Sequence, residues 1–119
     1  MKAKLVAAIL MIAVASTAFA RGFHTGAELK TLCDAEIRVS MGTATAEDLR
    51  DDTLCLGYIQ GVVDALDGHA FCSTDRLVGA QVIAAIVRNF INRNPQYLNQ
   101  TASQGVVGAF QHEFPCPKK

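Results

Sequence analysis

The chain has 119 residues, and its 11 Lys/Arg and 11 Asp/Glu give no formal net charge at pH 7. A balance of that kind argues against the clustered basic surface that a phosphate backbone requires, so nucleic acid is not an expected partner. Its 4 cysteines in so short a chain point to a disulfide framework and an oxidising compartment.

Residues 1–20 begin Met-Lys-Ala-Lys, continue through the apolar run Leu5 to Ala15, and end Ser16-Thr17-Ala18-Phe19-Ala20. Two lysines, a short apolar core and an Ala-x-Ala site describe a secretory signal peptide cut after Ala20. The run is too short for a membrane helix, which needs about 20 apolar residues. A later apolar stretch, Leu77 to Ile91, is interrupted by Gln81 and Arg88. The expected domains are therefore 1–20, a signal peptide, and 21–119, one periplasmic domain free of the membrane. Cleavage removes Lys2 and Lys4 and leaves a small excess of acid.

Helical spacing runs through the rest. Thr25-Gly26-Ala27-Glu28 is a capping box that opens a first helix with Leu29, Cys33, Ile37 and Met41 on one stripe. Gly42 follows as a left-handed stop. Thr45-Ala46-Glu47-Asp48 caps a second helix by the same logic, with Leu49, Leu56, Ile59, Val63 and Leu66 as its apolar set. Ser73-Thr74-Asp75 reads as the start of a third, broadly apolar helix from Leu77 and Val78 to Ile91, ended by Asn94-Pro95. A last helix over about Leu98 to Glu113 aligns Leu98, Ala102, Val106, Val107, Phe110 and Phe114, and Phe114-Pro115-Cys116-Pro117 follows as an extended tail. The expected fold is a small all-α bundle of four helices.

Residues equidistant from a helix–helix turn come level, because both helices rise ~1.5 Å per residue. Cys33 lies 10 residues before Thr43 and Cys55 lies 12 after it. Around Pro95, Cys72 lies 23 residues before and Cys116 lies 21 after. Sequence permits three pairings; this spacing favours Cys33–Cys55 and Cys72–Cys116. Closed loops of such size restrict the unfolded chain by roughly 3–4 kcal/mol each.

Reactive chemistry is poorly represented. No Cys-x-x-Cys occurs, so neither a thioredoxin-like site nor the close ligand pairs of structural zinc is expected. His24, His69 and His112 are scattered, Gly-x-Ser-x-Gly is absent, and Asp51-Asp52 reads as a solvated face. The reading is of a protein without catalytic residues, cofactor or metal. Gly57 and Gly61 lie four apart on the second helix and lower its propensity by ~1 kcal/mol each. Close approach of another backbone is the expected compensation. Tyr58 and Asp64 flank the strip, within reach of the bundle or of a partner.

The ordered set Cys55-x-Gly57-Tyr58-Ile59-x-Gly61-Val62-x-Asp64, then Phe71-Cys72, Asn94-Pro95 and Phe114-Pro115-Cys116, resembles the Tai-type (Rap/Tai) immunity proteins of bacterial type VI secretion. The resemblance covers about Leu29 to Cys116 and departs at Ser73-Thr74, where a proline commonly follows the cysteine. It implies a small, helical, disulfide-bonded periplasmic protein, often a homodimer. Such a protein binds a peptidoglycan amidase effector and inhibits it by steric occlusion. The loop Asp67 to Asp75 is the expected contact, through His69, Phe71 and Asp75, because Cys72 anchors it. Two other readings fit the size and the bridges: a periplasmic helical stress chaperone, and an envelope binding module with no toxin partner.

Overall fold

Capping decides where the first two helices begin. Thr25 Oγ1 accepts the Glu28 N–H and Thr45 Oγ1 accepts the Asp48 N–H, each at 3.2 Å. The two acids in turn accept the N–H groups of Thr25 and Thr45, at 2.8 and 2.9 Å. Each box satisfies donors that a helix start leaves without partners. The computed structural model describes residues 24–73 and 78–119. The expected signal peptide, residues 1–20, and Asp75 lie outside the described residues, as do Thr74 and Leu77.

Helix α1 spans Gly26–Ser40, α2 Ala46–Leu66, α3 Ala80–Arg93 and α4 Ala102–Glu113, with a 3₁₀ turn at Pro95–Asn99 leading into α4. The fold is the all-α, four-helix domain that the sequence predicts, with no strand among the described residues. Gly42, at φ +72°, stops α1 in the left-handed region where a side chain would be strained. α1 packs along α2 and also touches α3 and α4, which pack on one another. Leu29, Ile59, Val87, Ile91, Val106 and Phe110 form the fully buried centre. Burying each such side chain is worth about 1.5–3 kcal/mol.

One backbone contact joins the two ends of the domain. Gly26 N–H donates to the Gln100 carbonyl and Ala102 N–H to the His24 carbonyl, both at 2.9 Å. This antiparallel bridge lashes the entry of α1 to the entry of α4. It brings the 3₁₀ turn so near that a Cβ at Gly26 would collide with the Tyr97 carbonyl.

Both expected disulfides are present, Cys33–Cys55 and Cys72–Cys116. The two helix–helix turns therefore set the register as the spacing implied.

Three expectations need correction. The third helix starts at Ala80 behind an N-cap Gly79 that makes no side-chain cap, and Val78 precedes it. Ser73 does not cap it: its N–H and Oγ–H both donate to Asp67 Oδ1, at 2.7 and 3.1 Å. The expected last helix divides, because Leu98 belongs to the 3₁₀ turn and Thr101–Gln104 forms a fresh capping box for α4. Finally, Ile37, Met41 and Leu49 leave the core; Met41 is 69% and Leu49 53% exposed. They cluster near the α1–α2 turn, where the described residues leave their stripe exposed.

Candidate functional site

The loop after α2 is built from a sharp reversal and a two-point tether. Gly68 takes φ +80°, its N–H donates to the Phe71 carbonyl at 2.7 Å, and the His69 and Ala70 N–H groups return to the Leu66 carbonyl. Asp67 holds Ser73 from within the loop, while the Cys72 N–H donates to the Phe114 carbonyl at 2.9 Å. Beside it, between α2 and α3, an apolar groove of about 240 Å³ is lined by Leu56, Val63, Val78 and Ile83, with Asp67 and Ser73 among its polar groups.

Of the three expected contact residues, His69 is exposed and Asp75 lies outside the described residues. Phe71 is turned inward. It is fully buried, with its ring tilted against Phe110 at 5.0 Å between centroids, and Phe110 packs in turn on Phe114 at 5.4 Å. The sequence signal for this was available: Phe71 precedes a bridged cysteine, and Phe114 stands two residues before its partner.

The Gly57–Gly61 strip lies open in this fold. Both glycines are exposed, and a Cβ built on either would meet nothing within 4 Å. Close helix packing inside the chain falls instead to α4. There a Cβ at Gly105 would press on Ile91 Cδ1 at 3.2 Å, and one at Gly108 would reach Phe90 Cε1 at 2.8 Å. The signal for α4 was the small-residue series Ala102, Gly105, Ala109 at helical spacing. Tyr58 is half-buried beside the core, its ring edge-on to His24 at 5.7 Å, while Asp64 is exposed.

Charge is organised around the α1–α2 hairpin. Arg38 places Nη2 and Nε on Asp48 Oδ1, at 2.6 and 2.8 Å. That hydrogen bond raises the Arg38 guanidinium, and together with those from Thr45 it holds the Asp48 carboxyl well below the usual carboxylate range. Deeper in, Arg88 on α3 donates through Nη1 to Glu36 Oε2 at 3.1 Å and to the Cys33 carbonyl at 3.4 Å. Both side chains of this pair are largely buried.

Asp52 is not part of a solvated face. Burial, and then the nearby Glu36 charge, push its carboxyl up, and its Oδ1 is buried with no hydrogen-bond partner among the described residues. Asp51 pairs with Arg50 at 3.3 Å.

All four cysteines are bridged, and no group of three or more His, Cys, Asp or Glu could hold a metal among the described residues. No described helix is long and apolar enough to cross a membrane. Its exposed features include the His69 loop, the apolar residues near the α1–α2 turn, and the open glycine strip of α2.

Residues 25–116 match the family described as Rap1a immunity proteins, and the chain belongs to that family of type VI secretion immunity proteins. The family implies a cognate effector as partner. No curated protein matches the chain.

Proposed function

We propose that this chain is a periplasmic immunity protein that binds a peptidoglycan amidase effector and blocks its substrate groove. The observation that carries the reading is the family match over 25–116, which spans both disulfides and all four helices. The mechanism is steric. Two cross-links and three capping boxes fix the surface before binding, which lowers the ordering cost of association. The chain itself performs no catalysis in this scheme. Export by residues 1–20, with the rest as the working domain, brings it to the compartment where such an amidase acts.

The contact proposed from the loop rests on His69, whose imidazole is exposed on the Gly68 reversal. Self-association belongs to the same reading. Its support is α3, where Val82 stays 47% exposed and Ile83 and Ile86 are half-buried. A monomeric mass by light scattering at micromolar concentration contradicts that part alone.

The test is protection. Cells that export a type VI peptidoglycan amidase for which this chain is cognate should lyse, and co-expression of the full chain should rescue them. Deleting residues 2–20 should abolish rescue. Lysis that proceeds unchanged beside abundant exported protein removes the proposal.

A further inference from the structure

We infer that Cys72–Cys116 is a site of thiol–disulfide exchange, opened by a dithiol while the protein stays folded, and that Cys33–Cys55 is closed to the same chemistry. The inference does not depend on the effector.

Access separates the two bridges. Cys33 and Cys55 are both fully buried between α1 and α2, so an attacking thiolate reaches them when the hairpin comes apart. Cys116 is exposed within a tail, Pro115–Lys119, that is exposed throughout, and Cys72 is half-buried. Pro115 and Pro117 flank Cys116, and their fixed φ and missing N–H groups limit how that exposed stretch can pair with the bundle. Exposed bridges are the exchangeable ones, because exchange needs contact between the attacking sulfur and the bridge.

Retention of the fold is the second half. The anchoring of the C-terminal segment does not end at the bridge. The Phe114 ring is buried against Phe110, its N–H donates to the Phe110 carbonyl at 2.7 Å, and its carbonyl takes the Cys72 N–H. Opening the bridge therefore releases the residues after Phe114 and leaves the Phe71–Phe110–Phe114 cluster in place. Opening Cys33–Cys55 has no such local route, since α1 and α2 pack along their lengths around it.

The chemistry balances as two displacements. A thiolate of the dithiol attacks Cys116 Sγ, and a mixed disulfide forms as the Sγ–Sγ bond breaks and Cys72 leaves as a thiolate. The second thiol of the reductant, once deprotonated, attacks its own mixed sulfur and expels the Cys116 thiolate. The reductant ends as a disulfide, two electrons poorer, and the protein gains two cysteines that take up protons according to their pKa.

The experiment uses the oxidised protein and dithiothreitol at neutral pH without denaturant, with timed iodoacetamide trapping and peptide mass spectrometry. The expected intermediate carries two alkyl groups, on Cys72 and Cys116, forms at least ~10-fold faster than alkylation of Cys33 and Cys55, and keeps its helical circular dichroism. Alkylation of all four cysteines together, or of Cys33 and Cys55 first, overturns the inference. So does an intermediate that loses its helicity, or a bridge that stays closed until the protein unfolds.

Discussion

The α1–α2 hairpin and the joint between the α2 loop and the C-terminal tail use the same covalent device in opposite settings. In the hairpin, Cys33–Cys55 lies inside packed helices, next to the buried Glu36–Arg88 pair and below the Arg38–Asp48 clamp. At the joint, Cys72–Cys116 ties an exposed tail to a short loop, and burial there is supplied by three phenylalanines close to the bridge. A cross-link in the core acts with packing and charge, so its loss exposes other weaknesses. A cross-link at the edge mainly removes freedom from the unfolded chain.

The largest expected effect breaks the joint. Phe71→Ala removes a fully buried ring that meets Phe110, and should cost about 3–5 kcal/mol in urea unfolding. An unchanged midpoint would mean that the ring is not buried in solution.

Next comes the buried pair. Glu36→Ala leaves the Arg88 guanidinium without its carboxylate and should cost about 3–5 kcal/mol, whereas replacing both by Met should come out near neutral. Equal losses in the single and double variants would show that the pair is not coupled.

The two bridges then separate by size of effect. Chain entropy alone ranks Cys72–Cys116 ahead, with a sequence separation of 44 against 22, or ~4 against ~3 kcal/mol. The core setting of Cys33–Cys55 should reverse that order, since each buried sulfur removed adds roughly 1 kcal/mol of lost packing. Thermal melts of Cys33→Ala/Cys55→Ala against Cys72→Ala/Cys116→Ala decide between the two rankings.

Much of this architecture is legible in residues. Both pairings followed from distances to two turns, and the Thr25 and Thr45 boxes announced two helix starts because their acids stand three residues on. The start of α3 misled because Ser73-Thr74-Asp75 has capping chemistry, yet Ser73 is already claimed by Asp67, six residues earlier in a reversed loop. Spacing cannot tell an inward strip from an outward one, and for that reason Gly57 and Gly61 have the pattern of packing residues while standing exposed. Phe71 looked available for a partner because local pattern does not reveal Phe110, which the fold brings from the far end of the chain. The contact surface is the least readable part, since an interface is a property of two molecules.

Smaller effects sharpen the picture of the hairpin. The raised Asp52 carboxyl favours the folded state when protonated, a contribution present below the ordinary carboxylate pKa and lost as pH rises through the folded value. Asp52→Asn should therefore raise Tm at pH 7, with the gain fading in acid. Asp48 has the opposite sign: its lowered carboxyl stabilises above the ordinary range, and that is lost as pH falls. Asp48→Asn should lower Tm at pH 7 and converge with the parent in acid. The smallest change is Gly57→Ala or Gly61→Ala, each expected to stabilise α2 by up to ~1 kcal/mol because the added Cβ meets open space. A loss in either variant would mean that something covers the strip in solution.

Titration of the oxidised protein into purified type VI peptidoglycan amidases, followed by release of soluble peptidoglycan fragments, puts the proposed inhibition to the most direct trial. Stoichiometric loss of amidase activity, with saturable heat in a parallel calorimetric titration, is the predicted result. Full activity and no heat, at concentrations where the protein is folded and both bridges are closed, would contradict it.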